Sequence, residues 1–166
     1  MSDERVRVAV TGAPPPRRWS LRVRAGDVAA VGAALGLPLP TRIGAVARSG
    51  ACRALCLGPD EWEVETEDGV LPSLPADVPH ALVDVSDRDV SFRLVGPSAI
   101  DLLAMGIARD IAQLRPGEGC RTVFDSVPVV LVREEDGAFT MRVWRSFASH
   151  MLARLETGRE ELGSGL

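Results

Sequence analysis

The side chains that most often carry catalysis are few in this sequence and lie far apart along it. The two histidines, His80 and His150, have no nucleophile and carboxylate at a spacing typical of a Ser–His–Asp triad. Ser149 directly precedes His150, but adjacent residues on a helix do not face each other. A GxSxG nucleophile turn is also missing from the sequence. We therefore predict that this chain contributes no catalytic residue.

The three cysteines do not form a metal-binding pattern. Cys52 and Cys56 are not a CxxC pair, and on an extended strand they would lie about 13 Å apart, too far for a disulfide. A zinc site would need two further ligands at a suitable spacing, and the histidines are isolated in sequence. With Cys120 the number of thiols is odd, which favours buried, reduced cysteines.

A group of aspartates, at positions 84, 87 and 89, could suggest a calcium site. The group lacks the oxygen spacing, the glycine and the closing glutamate of a calcium-binding loop, so turn capping explains it better. The sequence also lacks GxGxxG after a strand and lacks GxxxxGK[ST], the usual cradles for dinucleotides and phosphates. We therefore predict neither a metal site nor a cofactor site in this chain.

The composition is that of a globular protein with an acidic balance. All 19 basic residues are arginine, and the formal net charge of the 166-residue chain is −4. Because nucleic-acid affinity depends on clustered positive charge, we predict no nucleic-acid partner and interpret the arginines as solvent-facing. No apolar run approaches the ~20 residues of a membrane-spanning helix, and residues 1–5 lack the layout of a signal peptide. We expect no membrane partner and a cytoplasmic location.

The three tryptophans are the remaining candidates for a contact site. Trp62 and Trp144 lie in predicted strands, and we expect both in the core. Trp19 follows two arginines and is the better candidate for an exposed contact, because exposed tryptophans often anchor interfaces. The nearby prolines at 14–16 form either an exposed loop or an arm that lies against another subunit.

The first half of the chain predicts several strand segments around one helix. Alternation of apolar and polar residues predicts strands at 6–10 and 20–25, and a helix follows from Asp27 to a stop at Gly36. Residues 53–57 and 62–65, with a turn between them, resemble a β-hairpin.

The second half predicts more strands and two helices. Residues 69–79 contain three prolines and are predicted to join two halves of the molecule. The later predicted elements are strands at 81–86 and 89–95, a helix at 97–105, and a meander at 121–124, 128–133 and 139–144. A last helix is predicted from Ser146, because Phe147, Met151, Leu152 and Leu155 form an apolar stripe.

These elements predict an α+β fold with antiparallel sheets and a few packed helices. We assign residues 1–158 to a single domain in two halves, and residues 159–166, which are polar and rich in glycine, to a flexible C-terminal tail.

Four segments, taken together in their order and spacing, resemble the gamma subunit of heterotetrameric sarcosine oxidase. The resemblance covers about residues 20–155, and the prolines at 14–16 and the first strand lie outside it. The segments are Leu57-Gly58-Pro59-Asp60-Glu61-Trp62, Val83-Asp84-Val85-Ser86-Asp87-Arg88, Gly96-Pro97-Ser98-Ala99-Ile100-Asp101-Leu102-Leu103 and Val143-Trp144-Arg145-Ser146-Phe147-Ala148.

The resemblance implies a fold like the folate-binding domain of aminomethyltransferases and a place in a heterotetramer. In that complex an alpha subunit would be the main contact, beside a flavin-bearing beta subunit and a zinc-bearing delta subunit. The complex would oxidise the N-methyl group of sarcosine to give glycine and hydrogen peroxide, and pass the one-carbon unit to tetrahydrofolate. FAD, FMN, NAD, tetrahydrofolate and zinc are implied for the partner subunits and none for this chain.

The resemblance assigns no catalytic residue to this chain. Arg88, Trp144 and Arg145 match motif positions, and we expect the arginines to hydrogen-bond strand-end carbonyls or Asp84. Two alternatives stay open: a free-standing folate-binding protein of the aminomethyltransferase type, and a gamma-type subunit of a related N-methyl amine demethylase. The chain is about half as long as the full aminomethyltransferase fold, which disfavours the first alternative.

Overall fold

The computed structural model describes residues 8–14 and 16–164. The described residues divide into two compact units. The terminal unit comprises residues 8–14, 88–117 and 121–164, and the central unit comprises residues 16–87 and 118–120. Residues 69–79, which the sequence predicts to join two halves, lie within the central unit. The α+β fold class is confirmed, because each unit combines an antiparallel sheet with helix.

The described residues form ten strands and three α-helices. Single turns of 3-10 helix lie at Ala25–Asp27, Ile111–Gln113 and Arg145–Phe147. In chain order the longer elements are β1 (Ala9–Ala13), β2 (Arg17–Val23), α1 (Val28–Leu35), β3 (Val46–Ser49), β4 (Cys52–Gly58), β5 (Glu61–Thr66), β6 (His80–Asp84), β7 (Asp89–Val95), α2 (Ala99–Ala104), β8 (Glu118–Phe124), β9 (Val127–Glu135), β10 (Ala138–Trp144) and α3 (Ala148–Ser164).

The central unit is organised around a five-stranded sheet in the order β3-β4-β5-β2-β6. Alternation along β2 and β5 sends Leu21, Trp62 and Val64 into one core, as the sequence predicts. Helix α1 adds Val31 and Leu35 to the same core. The helix ends as predicted, because Gly36 adopts a left-handed conformation with φ of 64° and donates its N–H to the carbonyl of Ala33.

The second five-stranded sheet, in the order β1-β7-β10-β9-β8, belongs to the terminal unit except for residues 118–120 of β8. Strands β8, β9 and β10 are the predicted meander, and β7 pairs antiparallel with both β1 and β10. Helices α2 and α3 contact each other, and α3 contacts β10. The fully buried side chains of this unit include Leu94, Leu102, Leu131, Phe139, Met141, Met151 and Leu155.

Some element boundaries differ from the predictions. The first strand, predicted at 6–10, is β1 at Ala9–Ala13; Val6, Arg7 and Pro15 lie outside the described residues. Helix α3 continues to Ser164, past Gly158, where the sequence predicts a tail. Gly158 lies at a close helix contact, since a Cβ there would be 2.8 Å from Cδ1 of Leu102. The glycine therefore permits close packing and does not end the helix.

The interpretation of every arginine as solvent-facing is wrong for some of them. Arg18 and Arg142 are buried, and Arg53 is nearly so. In the central unit β4 and β5 place Arg53 opposite Glu65, and Nε of Arg53 lies 3.1 Å from Oε2 of Glu65. Opposite charges on adjacent strands can share one buried face because each neutralises its neighbour. Within the described residues, no helix is long and apolar enough to cross a membrane.

Candidate interaction surface

The two histidines lie in different units, and both are exposed. His80 is exposed at the start of β6, and its Nδ1 is 2.7 Å from the carbonyl oxygen of Val78, an acceptor. His150 is exposed on α3, in the terminal unit. No group of three or more His, Cys, Asp or Glu side chains in the described part of the chain could hold a metal ion. The histidines are therefore surface groups of separate units.

The cysteines are free thiols in poorly reactive surroundings. Cys56 and Cys120 are buried and Cys52 is half-buried. Burial raises the pKa of both Cys52 and Cys56, because removing the thiolate from water disfavours the charged form. A thiol with a raised pKa is a weak nucleophile at neutral pH. The prediction of unbridged cysteines is confirmed.

Asp84 serves as a turn cap, which is the role predicted for the aspartate group. Its Oδ1 accepts hydrogen bonds from the N–H of Ser86 at 2.9 Å and from the Ser86 hydroxyl at 2.6 Å. These bonds, and then the nearby Arg17 guanidinium, lower the pKa of Asp84. Arg17, at 2.9 Å, is the arginine that pairs with Asp84, because β2 and β6 are adjacent strands. Arg88, an expected partner, instead donates from Nε to Asp89 at 3.3 Å.

Three motif residues singled out in the sequence meet at one end of the terminal sheet. Strands β7 and β10 pair so that Trp144 lies opposite Asp89. The N–H of Arg145 then donates to the carbonyl of Arg88 at 2.9 Å. Arg88 is far from Trp144 and Arg145 in the sequence, yet the three residues are neighbours. The donor in this contact is the backbone N–H of Arg145, whereas the prediction concerned the arginine side chains.

Trp144 is exposed, which contradicts its predicted place in the core. Its relative accessibility is 52%, and that of Phe147 is 38%. The two rings contact each other, with centroids 6.5 Å apart and planes inclined by 37°. We name the four residues Arg88, Trp144, Arg145 and Phe147 the Trp144 surface.

Alternation along β10 places Trp144 on the face opposite Phe139, Met141 and Val143. It does not predict the exposure of Trp144, because Arg142 lies on the same face and is buried. Trp19, predicted to be the exposed tryptophan, is half-buried, and the Arg17 guanidinium lies 6.0 Å from its ring centroid. Trp62 is buried, as predicted.

The Trp144 surface includes two arginines beside its aromatic residues. Arg145 is exposed, and the side chain of Arg88 is 49% exposed. The carboxylate of Asp89 is buried under Arg88. Exposed tryptophan and arginine are residue types enriched at protein interfaces, so this is a candidate interaction surface.

An apolar groove in the central unit has a volume of about 700 Å³. Volumes of about 300–1,000 Å³ are typical of ligand sites, but such sites also contain a few converging polar groups. This groove has no charged side chain among its lining residues, which are Ala25, Val28, Ala29, Gly32, Ala33, Gly36, Leu37, Pro38, Leu39 and Thr41.

The fold is similar to two solved structures. One is a chain of the heterotetrameric sarcosine oxidase from Corynebacterium sp. U-96 in complex with pyrrole 2-carboxylate, at a TM-score of 0.85 and 22% identity. That match covers 98% of this chain and 88% of the other chain. The other is the glycine cleavage system aminomethyltransferase T from Bartonella henselae, at a TM-score of 0.66 and 12% identity.

The second match covers 91% of this chain but only 46% of the aminomethyltransferase, so this chain spans about half the length of that enzyme. No protein-family model and no curated protein sequence matches the chain. The predicted resemblance in fold is confirmed: the chain has the fold of a chain of heterotetrameric sarcosine oxidase, and that fold is shared with part of an aminomethyltransferase.

Proposed function

We propose that this chain is a non-catalytic, gamma-type subunit of a heterotetrameric complex like sarcosine oxidase, and that it supports the alpha subunit. The observation that carries the proposal is the match to a sarcosine oxidase chain over nearly the full length of both chains, at a TM-score of 0.85. A match of that extent favours the same kind of subunit over a shared fragment.

The chemistry of the described residues supports a structural role. The histidines are dispersed, the pKa values of two thiols are raised, and the apolar groove lacks charged lining residues. In this proposal the partner subunits hold FAD, FMN, NAD, tetrahydrofolate and zinc. They oxidise sarcosine to glycine and pass its one-carbon unit to tetrahydrofolate. The complex works in the cytoplasm.

Co-expression with an alpha subunit tests the proposal. The two chains should co-elute in size-exclusion chromatography at micromolar concentration, since a stable interface buries at least about 1,000 Å² in total. The beta subunit expressed alone with this chain is the control, because the alpha subunit is the proposed main contact. Separate elution of this chain and the alpha subunit would contradict the proposal, as would oxidation of sarcosine by the isolated chain.

A free-standing folate-binding protein is the second candidate, favoured by the similarity to aminomethyltransferase T over 91% of this chain. The match covers only 46% of the aminomethyltransferase, which argues against this candidate. Titration with tetrahydrofolate, followed by tryptophan fluorescence, separates the two candidates. Saturation at micromolar ligand by the isolated chain would favour the second candidate.

A related demethylase complex, acting on dimethylglycine or another N-methyl amine, would use this chain in the same way. The substrate would then be chosen in the flavin-bearing subunit. Assays of the assembled complex with sarcosine and dimethylglycine distinguish the two complexes.

A further inference from the structure

We propose that the open edge of β6 binds a second copy of this chain, and that two β6 strands pair antiparallel about Leu82. The inference goes beyond the proposed function, because it concerns two copies of this chain and not the other subunits.

Strand β6 lies at one edge of the five-stranded sheet of the central unit. It pairs with β2 on one side, and no other strand in the described part of the chain pairs with it. The strand contains neither lysine nor proline, two residues that commonly block pairing at an edge. All its residues are exposed except Leu82, which is half-buried. An open edge of this kind is a template for a further strand.

The pairing of β6 with β2 shows which backbone groups face the open edge. The N–H of Val85, directly after the strand, donates to the carbonyl of Arg18 on β2 at 2.9 Å. In an antiparallel pair, residues that bond the neighbouring strand alternate with residues that face away from it. Every second residue before Val85 therefore bonds β2. The residues between them direct their N–H and C=O groups at the open edge, and these are His80, Leu82 and Asp84.

The three outward residues are spaced evenly about Leu82, so the edge is complementary to itself. In one antiparallel register Leu82 lies opposite Leu82 of the second copy, and His80 lies opposite Asp84 at each end. Each outward N–H then meets an outward carbonyl, so the partial charges of the two edges match along the whole strand. Ala81 and Val83, which is 57% exposed, lie opposite each other on the other face and add an apolar contact.

The charged side chains favour the same register. Nδ1 of His80 is 2.7 Å from the carbonyl oxygen of Val78, so a protonated His80 has its other ring N–H left for Asp84 of the second copy. Asp84 can accept this bond and keep Arg17, at 2.9 Å, because a carboxylate accepts several hydrogen bonds. A slip of two residues would leave outward groups unpaired. A slip of four would place two histidines or two aspartates opposite each other, which is unfavourable for like charges.

The test is sedimentation equilibrium of the isolated full chain over a range of concentrations. Two strands of five residues form a small contact, so we expect a weak dimer with a Kd of roughly 10–100 μM. His80→Asp places like charges opposite each other at both ends and should raise the Kd at least about 10-fold. His80→Arg keeps the attraction and should leave the Kd equal or lower. His150→Asp makes the same change of charge at an exposed histidine of α3 and should not change the Kd.

Hydrogen exchange locates the contact. We expect the amides of His80, Leu82 and Asp84 to exchange more slowly as the concentration of the chain rises, and circular dichroism checks that each variant is folded. A chain that stays monomeric at about 200 μM would overturn the inference. A dimer with the same Kd in His80→Asp and His150→Asp would overturn it too. Protection of β6 that requires another subunit would overturn it in favour of a strand from that subunit. The co-elution experiment is independent of these outcomes, so the proposed function is tested separately.

Discussion

The hydroxyl of Ser86 lies 2.6 Å from Oδ1 of Asp84, and the same hydroxyl accepts the N–H of Arg18 at 3.0 Å. Ser86 therefore joins β2 to the turn that follows β6 through one buried side chain. It also supplies the largest contribution to the lowered pKa of Asp84.

Removal of the Ser86 hydroxyl should destabilise the chain. In Ser86→Ala the buried N–H of Arg18 loses its acceptor, and we expect a loss of about 1–2 kcal/mol in the free energy of unfolding. Urea denaturation of the two proteins measures the difference. Ser149→Ala, at an exposed serine of α3, is the control and should change the stability little. Equal effects of the two substitutions would contradict the role given to Ser86.

The lowered pKa of Asp84 predicts a pH-dependent contribution to stability. The carboxyl is a stronger acid in the folded than in the unfolded chain, so the folded state favours the ionised form. Its contribution is complete above the ordinary aspartate pKa of about 4 and is lost as the pH falls through the lower pKa of the folded state. The stability difference between wild type and Asp84→Asn should therefore shrink between neutral pH and pH of about 3. A difference that stays constant over this range would show that the charge of Asp84 is not involved.

Trp62 anchors the core of the central unit through both its volume and its indole N–H. The side chain is buried, and Nε1 donates to the carbonyl of Pro40 at 2.7 Å. We expect Trp62→Phe to reduce the free energy of unfolding by about 2 kcal/mol, because it leaves a small cavity and an unsatisfied carbonyl. Trp19→Phe, at the half-buried tryptophan, should cost less. Thermal or urea unfolding compares the stabilities of the two variants. A larger loss of stability in Trp19→Phe than in Trp62→Phe would contradict the anchoring role of Trp62.

Gly106 is required by the close approach of the Phe124 ring. A Cβ at Gly106 would lie 2.4 Å from Cε1 of Phe124, and that ring is itself buried. We expect Gly106→Ala to destabilise the chain by about 1–3 kcal/mol, the usual cost of overpacking. Gly163→Ala is the control, because a Cβ there would meet open space and α3 favours alanine over glycine. Its effect should be neutral or slightly stabilising. Equal stabilities of Gly106→Ala and Gly163→Ala would contradict this role of Gly106, because the Phe124 ring would then have to move aside at no cost.

Trp144 should dominate the quenching of tryptophan fluorescence by iodide in the isolated chain. Its side chain is half exposed to solvent, whereas Trp62 is buried. Trp144→Phe should therefore lower the Stern–Volmer constant, and Trp62→Phe should raise it. An unchanged constant in Trp144→Phe would mean that the indole is covered.

The local patterns of the sequence predict most elements because the causes of those elements are local. The alternation of Val90, Phe92 and Leu94 marks β7, and Gly36 marks the end of α1. The pairing of these elements is not predictable in the same way. Arg18 is buried and lies opposite Glu65 on a strand that is remote in sequence.

Gly158 illustrates the same limit for a helix. A glycine followed by polar residues is typical of a helix end, and the sequence therefore predicts a tail there. The helix continues through Gly158, which packs closely against Leu102 of α2. The reason for the glycine is a tertiary contact, and no local pattern contains it.

The α+β class, the hairpin that buries Trp62, and a set of segments whose order resembles one family were all accessible from the amino-acid order alone. Those properties follow from residue periodicity and turn chemistry, which act over a few residues. The outward position of Trp144, with Arg88 and Arg145 beside it, became apparent only in the folded chain. Which face of a strand is covered depends on the elements that pack against it. The register between β7 and β10, two strands that are distant in sequence, created this surface.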